Sequence, residues 1–151
     1  MELSTTNQIQ LIKLAKKLGF KLQIYSVNEL PKICTEGFYI INADDEDRGG
    51  THWIAIYNQP NHKFCIYYDS FGMDADKRVI QFMKSSNKPV IGVSIQSQDE
   101  NAKSCGYWCI YFLNFMRTKS LSKYLSHIHS IDQTINENML RKYFNNVLNL
   151  K

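Results

Sequence analysis

No apolar stretch of this 151-residue chain reaches the roughly 18 residues that span a bilayer, so no membrane helix is expected. The opening MELSTTNQ lacks the basic and then apolar regions of a secretory signal, and secretion is not expected. There is no internal repeat, no low-complexity tract and no Pro/Gly-rich linker, which leaves residues 1–151 as a single domain. Four cysteines (Cys34, Cys65, Cys105 and Cys109) are present without a CxxC knuckle. Cys105 and Cys109 with His127 and His129 therefore make a poor zinc set, and no metal is expected. Without an export signal the thiols are expected to stay reduced. The acidic ADDEDRGG lacks EF-hand spacing and reads as a solvated loop rather than a calcium site. A soluble protein is expected, intracellular or carried in a virion.

What is present is ordinary globular material. Hydrophobic residues make up 44% and charged residues 21%, enough to build a core without staples. Aromatics reach 13%, with nine Tyr and eight Phe, so the core should be rich in ring packing. The net charge of +4 is unevenly spread. Residues 1–76 carry seven Lys/Arg against ten Asp/Glu (−3), and residues 77–151 carry eleven against four (+7). A basic C-terminal half suits a polyanion such as DNA through counterion release. Solvated helix faces are the commoner meaning of such a bias.

Thr5 opens TTNQ, a capping-box pattern, and Leu11, Leu14, Ala15 and Leu18 follow at helical spacing before Gly19. Short strands are expected over 20–25 and 38–42. The β-prone runs HWIAIYN and KFCIYYDS, joined by the turn residues of QPNH, predict a hairpin. A helix over 75–84 and a strand within KPVIGVSIQ follow. From Cys105 to Met116 the chain is apolar nearly all round, as a buried central helix would be. His127 and His129 then lie in a polar connection. Ser130 and Gln133 form a second capping-box pattern, opening an amphipathic helix through Leu140, Phe144 and Leu148. A few strands among segregated helices make an α+β domain.

SIQSQDENAKSCGYWCIYFLNF turns from polar to apolar at Cys105. A helix starting near Ser104 places Cys105 in its first turn, where unpaired N–H groups and the helix dipole favour a thiolate. Gly106 keeps side-chain bulk away from the sulfur, and the same N–H groups suit an oxyanion. Most single cysteines at helix starts are inert, so a base is needed. His52 opens the hairpin and Asp69 ends it, which brings the two side by side at one edge of the sheet. Asp69 can then hold the imidazole in the right tautomer. His62 sits in the turn. Gln96 and Gln98 share one face of an extended stretch before Cys105, and either amide can supply a second oxyanion donor.

The order His52, Asp69, Gln98, Cys105, carried by GGTHWIAIY, CIYYDSFG and QDENAKSCGYWCIYFL, resembles the adenovirus maturation protease (adenain) family. The wider superfamily includes the proteases that remove SUMO and other ubiquitin-like proteins. The resemblance runs over about residues 5 to 116 and implies the fold of that superfamily, a small mixed sheet on a central helix that starts at the nucleophile. It implies His52 as general base, Asp69 as its orienting carboxylate and Cys105 as nucleophile. Gln98, seven positions before Cys105 as in the adenovirus enzyme, becomes the oxyanion donor. It also implies a narrow substrate tunnel beside Trp53, with Gly50 and Gly106 at the substrate, and a protein substrate with glycine at the scissile bond. The implied role is processing of viral structural precursors in a virion or an infected cell. No cofactor is implied for the chemistry, though DNA or a peptide stimulates the prototype. Nothing here identifies the matching peptide-binding cysteine. The chain is shorter than the adenovirus enzyme between Asp69 and Cys105 and after the central helix. A monomer is expected. Removal of ubiquitin-like proteins, or silent binding of one, are the alternative functions.

Overall fold

The computed structural model describes residues 3–43, 52–93, 95–127 and 132–149. Its center is a five-stranded mixed sheet in simple order: β1 (Leu22–Ser26), β2 (Gly37–Asn42), β3 (Trp53–Asn58), β4 (Cys65–Tyr68) and β5 (Val90–Val93). The inner pairs β2–β3 and β3–β4 are antiparallel, whereas β1–β2 and β4–β5 are parallel. Hairpins make the antiparallel pairs. The parallel pair β4–β5 needs a crossover, which α2 (Lys77–Lys84) supplies.

Both faces of the sheet are covered, so β3 and β4 are buried along their whole length. Alternation still sorts their side chains. Trp53, Ala55, Tyr57, Ile66 and Tyr68 enter the larger core, beneath α1 (Gln8–Leu18) and α3 (Cys105–Thr118). Ile54, Ile56, Cys65 and Tyr67 enter a second core under α2. The larger core also takes Tyr124 from α4 (Leu121–His127) and Leu140, Phe144 and Val147 from α5 (Gln133–Asn149). As the composition suggests, rings dominate it. Tyr68 stacks on Phe112 at 4.4 Å between centroids, and the Tyr124 hydroxyl donates to that of Tyr68 at 3.0 Å. Among the described residues no helix is long and apolar enough to cross a membrane. All four cysteines are free thiols.

Several expectations shift. The first capping box is built by Asn7 and Gln10, not by Thr5 and Gln8. Asn7 Oδ1 accepts from the Gln10 N–H at 2.9 Å, and Gln10 Oε1 accepts from the Asn7 N–H at 2.8 Å. The two threonines are left to an extended lead-in, where Thr6 is buried. Gly19 ends α1 as expected, with the left-handed φ of 100° that disfavours a side chain. The strand expected within KPVIGVSIQ is confined to Val90–Val93. Part of the expected polar connection is α4, which Tyr124 anchors from the core. Ser130 and His129 lie outside the described residues. At the start of α5, Asp132 Oδ1 accepts from the Thr134 N–H at 2.9 Å. Leu148, expected on the buried face of that helix, is exposed, and Val147 is buried instead.

Candidate active site

The hairpin brings its two ends together. His52 directly precedes β3 and Asp69 directly follows β4, and His52 Nε2 lies 3.0 Å from Asp69 Oδ1. The same carboxylate oxygen accepts from the Phe71 N–H at 2.8 Å, and the Phe71 ring lies against the imidazole. This small turn closes at Gly72, whose φ of 71° and N–H bond to the Asp69 carbonyl explain a glycine there. Burial by itself would lower the His52 pKa. The hydrogen bonds and charges of Asp69 and Cys105 outweigh it and raise the group from 6.5 to about 10. With Nε2 committed to Asp69, Nδ1 is the ring nitrogen left for the sulfur.

Cys105 is the first residue of α3 and is 6% exposed. The peptide of Trp53 holds α3 at two points: its N–H donates to Cys105 Sγ at 3.5 Å, and its carbonyl accepts from Cys109 Sγ at 3.3 Å. Burial pushes the Cys109 thiol well up, which keeps it a donor. Cys109 is thus more than filler, since it fixes β3 against the helix. Trp53 is itself buried, and its indole N–H donates to the Thr6 carbonyl at 3.1 Å. Gly106 is also enclosed. A Cβ there would lie 2.0 Å from Thr6 Oγ1, 3.0 Å from Leu11 Cδ2 and 3.2 Å from Trp53 Cδ1. The lead-in to α1 therefore requires the glycine by packing, a reason different from access to the sulfur. Gly50 lies outside the described residues.

Gln98 and Gln96 separate clearly. Gln98 is buried, its Oε1 accepting from Ser70 Oγ at 2.5 Å and its Nε2 donating to the Ala102 carbonyl at 2.7 Å. An amide nitrogen carries two hydrogens, so these bonds orient the group and commit one of them. Gln96 is exposed, and its Nε2 donates to the Gln98 carbonyl at 2.9 Å. Nothing in the sequence singles out Ser70, although it adjoins Asp69. Its carbonyl also accepts the N–H groups of Ser97 and Gln98.

A second set of holders comes from α5, and no local signal marks it in the sequence. Glu137 accepts at Oε1 from Ser104 Oγ (2.7 Å) and at Oε2 from Trp108 Nε1 (2.9 Å) and the Asp99 N–H (3.3 Å). Next to it, buried Asn136 donates to the Ser97 carbonyl at 3.2 Å. A cleft of about 550 Å³ runs outside this loop, lined by Asp99, Ala102, Lys103, Glu137 and Arg141, and the thiol is not in its lining. His62 stays in the hairpin turn, where its Nδ1 accepts from the Phe64 N–H.

Among solved structures the chain is similar to the ASFV pS273R protease, with 18% identity and a TM-score of 0.51. That match covers 66% of this chain and 42% of pS273R, so the chain spans less than half the length of that protein. It is also similar to the Chlamydia trachomatis effector Cdu1, solved bound to ubiquitin, at 15% identity and a TM-score of 0.54 over 98% of this chain and 83% of that one. The effector ChlaDUB1 of the same organism gives 14%, a TM-score of 0.55, and 98% and 76% coverage. At these identities the likeness speaks for the fold, the one expected from the sequence. The family described as adenovirus endoprotease matches residues 32–149, a stretch that holds His52, Asp69, Gln98, Cys105 and all of β2 to α5. The chain belongs to the adenovirus endoprotease family.

Proposed function

We propose that the chain is a cysteine peptidase with Cys105 as nucleophile, His52 as acid and base, and Asp69 as the group that orients His52. One observation carries this reading: His52 bonds Asp69 at 3.0 Å while its pKa is raised by both Asp69 and Cys105. An imidazolium is then present beside the sulfur at neutral pH. Sulfur attacks the peptide carbonyl, and the C=O π electrons move to oxygen. Collapse expels the amine, which takes its proton from His52. The now neutral imidazole removes a proton from water, whose oxygen displaces the thiolate and releases the acid. The Cys105 N–H and the second hydrogen of the Gln98 amide stabilise the oxyanion in both steps.

The substrate is a protein with glycine at the scissile bond, and processing of viral structural precursors is the role that family membership favours. DNA or a peptide as activator fits the +7 of residues 77–151. Removal of ubiquitin-like proteins is the second reading, motivated by the near full-length likeness to Cdu1 bound to ubiquitin. The test exposes the protein and its Cys105→Ala variant to glycine-containing precursor peptides and to C-terminal electrophilic probes of ubiquitin-like proteins, with and without DNA. Cleavage without probe labelling supports precursor processing, and probe labelling supports the second reading. Absence of any Cys105-dependent turnover or labelling refutes the peptidase.

A further inference from the structure

We infer that α5 sets the geometry of the oxyanion site, with Glu137 as its positioning residue. This rests on the peptidase reading above. Gln98 is held from both flanks by neighbouring residues of one helix. Asn136 Nδ2 grips the Ser97 carbonyl before it, and Glu137 Oε2 takes the Asp99 N–H after it. The other carboxylate oxygen of Glu137 takes the hydroxyl of Ser104, the residue before Cys105. One side chain thus bonds both ends of the 99–104 loop and fixes the distance between the two oxyanion donors.

The direction of Ser104 supports this role. Ser104 stands at the N-cap of α3, where serine ordinarily caps its own helix. It makes no side-chain cap bond here, because its hydroxyl is turned to Glu137. Trp108 Nε1, one turn into α3, bonds the same carboxylate, so the loop and the helix carrying the sulfur share one anchor. Three donors from three positions converge on Glu137, and a purely structural surface carboxylate has no need of them all. His52 and Asp69, by contrast, are held by the hairpin and do not touch Glu137.

The separation gives a test. Attack on a peptide develops an oxyanion, whereas alkylation of the sulfur by iodoacetamide displaces iodide and develops none. Glu137→Ala should lower kcat about 10- to 100-fold, as expected for a misplaced oxyanion donor, with KM changed less than about threefold. The rate of Cys105 alkylation should fall much less than kcat, since the Trp53 N–H still holds Sγ. Glu137→Gln should recover most of the activity, since its carbonyl serves Trp108 and Asp99 and its amide can donate to Ser104. In a Gln98→Ala background, Glu137→Ala should cost much less than it does alone. If Glu137→Ala does not fold, Glu137→Asp takes its place, keeping the charge while too short to reach all three donors. An unchanged kcat, alkylation falling in parallel with kcat, or a full multiplicative loss in the Gln98→Ala background would overturn the role. A wild-type protein with no Cys105-dependent turnover refutes the peptidase reading and this role together. Wild-type turnover with kcat unchanged on loss of Glu137 refutes this role alone.

Discussion

Gly106→Ala sets two known effects against each other. Alanine in place of glycine within a helix gains about 1 kcal/mol. Here the added methyl lands 2.0 Å from Thr6 Oγ1, with Leu11 Cδ2 at 3.0 Å and Trp53 Cδ1 at 3.2 Å. Thr6 is β-branched and buried, so it has little room to turn aside, and overpacking of this kind costs about 1–3 kcal/mol. The single variant should therefore range from neutral to about 2 kcal/mol less stable. Thr6→Ala removes the clashing atom, and Thr6 Oγ1 is buried with no hydrogen bond to lose. In that background the contacts with Leu11 Cδ2 and Trp53 Cδ1 remain, so Gly106→Ala should gain at most about 1 kcal/mol, the plain helix value. Urea denaturation of the four proteins gives the coupling between the two sites, expected at about 1–3 kcal/mol. Activity is read separately. The methyl also presses on Trp53, whose N–H holds Cys105 Sγ, and that contact does not involve Thr6, so kcat should fall in Gly106→Ala and stay lowered in the double variant. A coupling below about 0.5 kcal/mol would refute the packing of the lead-in against Gly106.

Three further outcomes follow from the site. His52 binds its proton more tightly folded than unfolded, so its stabilisation is fully present below pH 6.5 and is lost as pH rises through about 10. Urea midpoints between pH 6 and 10.5 should show a loss on the order of 2–5 kcal/mol that His52→Gln lacks, and parallel curves would contradict it. Asp69→Asn should cut kcat by about 10²–10⁴-fold while keeping the fold at lower stability, and should bring the alkaline limb of kcat/KM set by His52 to lower pH. Cys109→Ala removes the donor to the Trp53 carbonyl and a buried sulfur, and should cost about 1–3 kcal/mol in urea denaturation.

The hairpin and the meeting of His52 with Asp69 at its ends are legible because local rules govern them. Two β-prone runs flank turn residues, and their pairing brings together the ends that carry His52 and Asp69, with the turn at Phe71 completing the contact. The start of α3 was legible from the change in polarity at Cys105. The N-cap of α1 was misplaced by two residues because TTNQ and NQIQ both fit a capping box, and only the docking of Thr6 under Trp53 decides between them. The helix α4 went unseen since one buried residue, Tyr124, holds it through a tyrosine 56 positions away. Glu137 was invisible for the same reason: its partners lie 29, 33 and 38 positions distant, and a lone glutamate on an amphipathic helix looks like solvated surface.

That distance along the chain also orders events in time. Synthesis proceeds at about 5–20 residues per second, so Glu137 is added roughly 2–6 s after Cys105. During that interval the nascent chain carries thiol, imidazole and Gln98, but not the helix that grips the Gln98 segment. With Glu137 in the role inferred above, full activity waits on α5, and the chain stays a slow enzyme until its C-terminal part has docked.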